Sequence, residues 1–157
     1  GSSPCVWGCR WVCELWTRTP PAGQEALIGR KKISGAPLDG THETDTPDYA
    51  ADPTGEVTPL DAHIRLANPR TAKSQENLIL RRGFSYTRGY DDAGQLDQGL
   101  AFVSFQKSIA TGFLAVQTRL NGEPLEEYIR PEGGGDFFAL PGVPTADGYL
   151  GQGLLRG

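Results

Sequence analysis

Two histidines are the residues of this 157-residue chain with the clearest capacity to ligate a metal or move a proton. His42 lies in a polar run with Thr41 and Glu43, where an imidazole is normally solvated, and we assign it no role. His63 lies in the segment LDAHIRLANPR, residues 60–70, with apolar residues on both sides of the imidazole. A neutral imidazole in such a place can bind a metal ion. The local pattern alone favours the plainer alternative, a half-buried histidine bonded to a backbone carbonyl.

The residues that follow His63 strengthen its prediction as a metal ligand. Arg65, Asn68 and Arg70 lie within seven positions of it and supply two guanidinium groups and an amide. A haem requires an imidazole for the iron, and cationic or amide donors for its two propionates. The segment therefore indicates a candidate haem site.

The three cysteines form a weaker motif. Cys5, Cys9 and Cys13 recur every four residues, and on a helix they would form a stripe of thiolates. Because no fourth ligand lies nearby, a metal site is disfavoured. The 144 positions after Cys13 hold no cysteine, so no disulfide framework can form across the chain and the redox compartment stays open.

Composition limits the classes of function. Fifteen basic and nineteen acidic residues give a net charge of -4, so the chain has no global positive field for nucleic acid or an anionic membrane. No run approaches the roughly 20 apolar residues of a membrane span, and the start lacks a signal-peptide pattern. The length suits one ordinary domain. Because the chain starts at Gly1 and contains no methionine, we expect it to be a piece of a longer reading frame.

The apolar pattern predicts an α+β fold, an antiparallel sheet with helices packed on one face. Residues 5–16 read equally well as a buried strand or a short helix. A short helix is expected from the Pro20-Pro21 pair to Ile28, closed by Gly29, followed by a long loop over residues 30–59.

The second half of the chain carries the clearer elements. Residues 77–86 predict a strand with Arg81 on the face opposite Leu80, and residues 99–106 predict an inner strand. An amphipathic helix is expected over residues 109–120, ended by Asn121-Gly122. A helical turn at residues 125–129, the glycine run at 133–135 and a last strand at 137–140 complete the prediction.

Long strings of this chain resemble the C-terminal half of the dye-decolourising haem peroxidase family, in the branch that contains the deferrochelatase/peroxidases. The resembling strings run in order over most of residues 25–155: LIGRKKISGAPLDG, TPDYA, DAHIRLANPRT, NLILRRGFSYTRGYDDAGQLDQGLAFVSFQ, AVQTRLNGEPLEEYIRPEGGG and FFALPG. The resemblance implies the ferredoxin-like α+β fold of the C-terminal half of a two-domain protein.

The resemblance also implies roles for individual residues. His63 matches the axial ligand of the haem iron, and Asn68, Pro69 and Arg70 match a haem-contacting triplet. Arg81, the first arginine of LILRR, matches the distal arginine, which stabilises the negative charge that develops as the O–O bond of peroxide breaks. A further acceptor is expected to orient His63 through its second ring nitrogen, without a residue that we can name for it.

Two departures from the family pattern limit what the resemblance implies. The family's acid–base aspartate belongs to a Gly-x-x-Asp-Gly motif upstream of the region represented here; Asp39 stands in a similar string, but at a different place in the family's order, and we interpret it as a loop residue. The likeness also stops over residues 3–13 and resumes at Glu14, which a frameshifted stretch would explain. Asp136 stands where the family tends to have an aromatic residue.

The prediction is therefore a haem b peroxidase that reduces hydrogen peroxide and oxidises dyes or other bulky organic reductants. Residues 1–16 form an N-terminal segment that departs from the family, and residues 17–157 form the haem-ligating domain. The alternatives are a deferrochelatase-like haem-binding module and an inactive fragment with uncovered apolar surface. We expect no nucleic-acid partner and no membrane span, and a homo-oligomer is possible. The resemblance implies export from the cell, with a cytoplasmic location as the alternative.

Overall fold

The computed structural model describes residues 3–143 and 145–155, and these contain one four-stranded antiparallel sheet with helices. The strands are β1 (Ser3–Trp11), β2 (Leu80–Tyr90), β3 (Leu96–Gln106) and β4 (Ile129–Asp136). Their order across the sheet is β2-β3-β1-β4. Helices lie between β1 and β2 and between β3 and β4, which is the β-α-β-β-α-β arrangement of a ferredoxin-like fold. The predicted fold class is confirmed.

The helices are short. They are α1 (Cys13–Arg18), α2 (Pro21–Ile28), α3 (His63–Ala67), α4 (Ala115–Leu120) and α5 (Gln152–Leu155), with 3-10 helices at Lys73–Asn77 and Pro124–Tyr128 and a π-helical turn at Ala110–Leu114. The π turn runs directly into α4, so the helix predicted over residues 109–120 is present with a wider first turn. Gly112 sits in that turn because a Cβ there would lie 2.8 Å from the side chain of Gln106 on β3.

The N-terminal segment supplies an inner strand. Residues 3–11 pair with β3 on one side and with β4 on the other. The strand alternative is therefore observed up to Trp11, whereas residues 13–16 belong to α1. The cysteine stripe does not form, because Cys5 and Cys9 lie on β1 while Cys13 begins α1. The predicted division into an N-terminal segment, residues 1–16, and a haem-ligating domain, residues 17–157, stays a prediction. Residues 1, 2, 144, 156 and 157 lie outside the part of the chain that the structure describes.

The last strand differs from the prediction. The sequence suggested a strand at residues 137–140, but β4 covers Ile129–Asp136 and includes the glycine run. The reason is a close approach: a Cβ on Gly134 would lie 2.2 Å from the carbonyl oxygen of Val6 and 2.7 Å from the ring of Trp7. Glycines that the sequence prediction left outside the last strand make room for a tryptophan on the neighbouring strand.

Helices cover one face of the sheet and leave apolar side chains exposed on the other. On one face the ring of Phe113, from the π turn, stacks on Trp7 with centroids 6.0 Å apart and lies 6.1 Å from Phe102; we call this the helix face. The opposite face carries apolar side chains that stay exposed, including Leu80 at 64% and Phe84 at 55%. Uncovered apolar surface of this kind marks an interaction face.

The long loop between α2 and α3 is ordered by buried polar contacts. Asp52 accepts hydrogen bonds from the backbone N–H groups of Glu56, Val57 and Thr58. Arg65 of α3 donates to the Asp52 carboxylate at 3.1 Å and to the Thr58 carbonyl at 2.6 Å. The N–H donors, led by Thr58, and the Arg65 guanidinium hold the pKa of Asp52 below its usual range. The loop and α3 are therefore joined through one ion pair.

A second contact joins α2 to α3. Gly29 ends α2 with a φ of 87°, in the left-handed region that favours glycine. A Cβ at this position would lie 2.6 Å from Cγ1 of Ile64, the residue after His63. Gly29 is therefore required both by its backbone conformation and by the packing of α3.

Substituting Gly29 tests this packing. Gly29→Ala is expected to lower the free energy of unfolding by more than Gly122→Ala, measured by urea denaturation. Gly122 has a similar φ of 80° but open space at its Cβ position, so it reports the left-handed conformation alone, at about 1–2 kcal/mol. The clash at Gly29 should add roughly 1–3 kcal/mol. Equal losses in the two variants would contradict the packing role.

The Asp52 contacts predict a pH dependence of stability. Because the pKa of Asp52 is depressed in the folded state, its stabilising contribution is complete above the ordinary carboxyl pKa of about 4 and is lost as the pH falls below it. Asp52→Asn should therefore lower stability at neutral pH and flatten its decline in acid. The control is Asp92→Asn, at an exposed position; acid denaturation profiles that change equally in both variants would refute the assignment.

Candidate haem-ligating site

The candidate ligand His63 is the first residue of α3, and its ring has a defined orientation. Nδ1 lies 3.0 and 2.9 Å from the two carboxylate oxygens of Glu123. Since a carboxylate only accepts hydrogen bonds, Nδ1 carries the proton and donates it. In the neutral form of the ring, Nε2 is then the nitrogen with a free lone pair. The side chain of His63 is 24% exposed, whereas that of Glu123 is 3% exposed.

This arrangement fits a metal-ligating histidine. Such histidines donate their second ring N–H to a carboxylate or carbonyl, which fixes the tautomer and raises the basicity of the ligating nitrogen. A carboxylate as buried as Glu123 requires a partner, and His63 is its side-chain partner among the described residues. The residues present therefore fit the axial ligation of a haem iron.

Glu123 is the residue that the sequence could not identify. It follows the Asn121-Gly122 stop of α4, where Gly122 adopts its positive φ and the Glu123 N–H donates to the Leu120 carbonyl at 3.0 Å. This turn directs the carboxylate to a histidine 60 positions earlier in the chain. No local signal joins the two residues; the sequence shows only a glutamate directly after the Asn121-Gly122 helix stop.

Helix α3 is held from its C-terminal end by Arg119 of α4. The guanidinium donates to the carbonyls of Leu66 and Ala67, at 3.0 and 2.8 Å, and to the side chain of Asn77 at 3.0 Å. These are the carbonyls that the last turn of a helix leaves without partners. Arg119 thus fixes α3 to the helix layer of the sheet.

The three residues after His63 that could donate hydrogen bonds to an anion make different contacts in the structure. Arg65 is buried and engaged with Asp52 and Thr58, and its guanidinium lies 4.9 Å from the ring centroid of Tyr49. Arg65 therefore joins the long loop to α3, a contact that the sequence does not indicate. Asn68 accepts hydrogen bonds from the Arg70 N–H and the Ser74 hydroxyl through its side-chain oxygen, so this oxygen shapes the turn that follows α3.

Arg70 remains the available cation of the group. Its φ is 59°, a left-handed conformation that is uncommon for a residue other than glycine. Its side chain is exposed, and the guanidinium makes no hydrogen bond or ion pair within the described part of the chain. Pro69 and Arg70 line a cleft of about 320 Å³ together with Tyr49 and Arg65. The strained turn therefore presents one cation without a partner.

Arg81 lies on the edge strand β2 and points to the helix face. It pairs with Ser104, and two residues later Gly83 pairs with Phe102, whose ring packs on the helix layer. Since residues two apart share a face, Arg81 lies on the same side of the sheet as α3 and His63. Arg82 lies on the opposite face, in register with Val103. Arg81 is exposed and has no described partner.

The other candidates of the sequence lie elsewhere. His42 is exposed in the long loop, and Asp39 accepts a hydrogen bond from the Asp48 N–H at 2.7 Å, as a loop aspartate would. Among the residues that the structure describes, no group of three or more His, Cys, Asp or Glu side chains is placed to hold a metal ion. No helix in the same part of the chain is long and apolar enough to cross a membrane.

Comparison with known proteins matches this chain over nearly its whole length. The model of the C-terminal part of the Dyp-type peroxidases matches residues 2–144. A deferrochelatase of Escherichia coli O6:K15:H31 is 57% identical over 156 residues, or 99% of this chain, and one of Yersinia pestis is 57% identical over the same length. The chain spans 37% and 36% of the length of these two relatives.

Solved structures agree with the fold. A DyP-type peroxidase from Cellulomonas bogoriensis superposes with a TM-score of 0.86 at 37% identity, over 100% of this chain and 43% of that chain. DtpA from Streptomyces lividans gives 0.85 at 37% identity, over 99% of this chain and 43% of that chain. A DypB variant of Rhodococcus jostii RHA1, described as a complex with heme, has the same fold at 19% identity and a TM-score of 0.65. This chain belongs to the Dyp-type peroxidase family, as its C-terminal part.

Proposed function

We propose that this chain is the haem-ligating part of a peroxidase that binds haem b through Nε2 of His63. The observation that carries the proposal is the hydrogen bond from His63 Nδ1 to the buried Glu123 carboxylate, at 2.9 Å. It leaves Nε2 free and holds the ring in the tautomer in which His63 would ligate the iron of a haem. Arg70, without a partner of its own, is available for a propionate.

When bound, haem supplies the iron centre at which one hydrogen peroxide and two hydrogen atoms from an organic reductant give two molecules of water. The chain's own residues prepare that centre. Glu123 orients His63 and increases the electron density on its ligating nitrogen. Arg81, a permanent cation on the helix face, would stabilise the negative charge on oxygen as the O–O bond breaks. The acid–base aspartate implied by the family would come from the remainder of a longer polypeptide.

A haem-binding module without peroxidase turnover is the second candidate. It is favoured by the name deferrochelatase that the 57% identical relatives carry, and by the 37% of their length that this chain spans. Both candidates share His63 and Glu123 as the haem-ligating pair. They differ in whether Arg81 has a catalytic role.

Haem titration tests the ligand. Added to the chain, hemin should give a Soret band that His63→Ala abolishes, because the axial nitrogen is lost. Glu123→Gln should weaken hemin binding by about 10–100-fold, the usual effect of removing the acceptor behind a ligating histidine. His42→Ala is the matched control and should bind as the parent chain does. An unchanged Soret band in His63→Ala would reject ligation by this residue.

Peroxide-dependent dye oxidation tests Arg81. In the haem-loaded chain, Arg81→Leu is expected to lower the rate by about 10²–10³-fold, as the loss of one charge-stabilising donor does in other enzymes. Arg82→Leu, on the opposite face, should keep the parent rate. If Arg81→Leu and Arg82→Leu bleach the dye equally well, Arg81 is not catalytic. If the parent chain binds haem without bleaching any dye, the module without turnover is the better account.

A further inference from the structure

The turn that directs Glu123 to His63 contains the chain's one Asn-Gly pair, Asn121-Gly122. In such a pair the backbone nitrogen of the glycine can attack the side-chain amide of the asparagine, because glycine has no side chain to hinder the approach. Asn121 is exposed, and a Cβ built on Gly122 would meet no atom within 4 Å. The two reacting groups are therefore open to solvent and free to move.

Hydrogen bonds at this turn act on the atoms that would react. The side-chain oxygen of Asn121 accepts from the Gln117 amide at 3.4 Å, which draws electron density away from Cγ. The Gly122 N–H donates to a carboxylate oxygen of Glu126 at 3.0 Å. Nδ2 of Asn121, the group that would leave, donates no hydrogen bond within the described part of the chain. One neighbour thus polarises the electrophile, and another already holds the proton of the nucleophile.

The other two asparagines of the chain lack these features. Asn68 precedes a proline, whose nitrogen carries no hydrogen and cannot attack. Asn77 precedes a leucine, and both atoms of its side-chain amide are engaged. Its nitrogen donates to the Thr111 carbonyl at 2.7 Å, and its oxygen accepts from Arg119 at 3.0 Å. Asn121 is therefore the asparagine at which this chemistry is favoured.

We propose that Asn121 is a site of spontaneous deamidation in the folded chain, with Glu126 as the base. The peptide between Asn121 and Gly122 rotates, and the Gly122 nitrogen forms a bond with Cγ of Asn121 while its proton passes to the Glu126 carboxylate. The Cγ–Nδ2 bond then breaks, and Nδ2 takes this proton and leaves as ammonia, so a cyclic imide remains. Solvent adds one water molecule to the imide, which opens to aspartate or, more often, to isoaspartate.

The isoaspartate product lengthens the main chain at the turn. The backbone then runs through the former side chain, so Cβ of residue 121 becomes an additional main-chain atom before Gly122. The bond from the Glu123 N–H to the Leu120 carbonyl, at 3.0 Å, spans this point and cannot keep its geometry. The Glu123 carboxylate, 2.9 Å from Nδ1 of His63, is displaced with it. Deamidation thus releases His63 from its carboxylate and weakens haem ligation as the protein ages; this consequence rests on the proposed function.

Ageing of the haem-free chain in mildly alkaline buffer tests the modification. Peptide mass spectrometry should show a gain of one mass unit at Asn121, and isoaspartyl methyltransferase should label the same peptide. Asn68 and Asn77 are internal controls and should stay unchanged. Asn121→Gln should remove the signal, because its longer side chain closes a ring far more slowly. If Asn121 is intact after an unfolded peptide of residues 117–126 has deamidated, or if Asn77 converts equally, the proposal fails.

Glu126→Gln tests the base. The substitution keeps the size of the side chain but removes its basicity, so Asn121 should deamidate several-fold more slowly. Glu127→Gln is the matched control, because it removes the neighbouring exposed carboxylate and the same charge. Equal rates of deamidation in the two variants would show that Glu126 does not take the proton.

The Nδ1–H signal of His63 in NMR spectra reports the consequence without haem. Bonded to Glu123, this proton should exchange slowly and be observable, and it should be lost in the isoaspartyl chain after chromatographic isolation. Freshly purified Asn121→Asp carries the same added charge on a normal backbone and should keep the signal. A signal that persists in the isoaspartyl chain, or that is equally lost in Asn121→Asp, would contradict displacement by the lengthened backbone.

Hemin titration separates this inference from the proposed function. The isoaspartyl chain should bind hemin about 10–100-fold more weakly than the fresh chain, the effect of losing the acceptor behind a ligating histidine. Aged Asn121→Gln should bind as the fresh parent does. Deamidation at Asn121 in a chain that gives no Soret band would reject the proposed function and leave the modification intact. Equal hemin binding by the fresh and isoaspartyl chains would reject the link from the turn to His63 and leave haem ligation intact.

Discussion

A helix of five residues carries the candidate ligand, and a helix of that length has no stability of its own in water. The position of His63 therefore depends on what holds α3 in place. Arg119 bonds the carbonyls at its end, Arg65 joins it to the long loop, and Gly29 lets α2 pack against it. Each contact comes from a different part of the chain. The ligand is positioned by the tertiary structure as a whole, and its ring orientation by a fourth contact, from Glu123.

The sheet decides which residues can act together. Its strand order places β2 at an edge, so Arg81 is accessible although it points to the same side as the helices. One strand further in, Ser104 is completely enclosed. A single row across the sheet thus runs from the exposed guanidinium of Arg81 through the buried hydroxyl of Ser104 to the buried thiol of Cys5. The opposite face leaves Leu80 and Phe84 exposed, and no described element of this chain covers them.

Apolar periodicity and turn residues predict a helix or strand correctly where the pattern lies within the element's own sequence. The helix over residues 109–120 and the inner strand over residues 99–106 were predictable from apolar spacing, and Gly29 from its place after a short helical run. The glycine run of β4 was not predicted as part of a strand, because glycine is depleted in strands. The reason for glycine here, room for the Trp7 ring, lies on another strand. The strand β1 was undecided, because an inner strand and a short buried helix are both continuously apolar.

The sequence by itself determined the family and the fold class, since long ordered strings preserve ancestry without any knowledge of contacts. For the candidate site it supplied His63 and Arg81 as predictions. It could not determine that Arg65 is used by the loop, or that Glu123 is the partner of His63. Both depend on pairs brought together by folding, 13 and 60 positions apart. Which donor meets which acceptor is decided by the packing of α3 against its neighbours, because hydrogen bonds act over about 3 Å in space and leave no periodic trace along the chain.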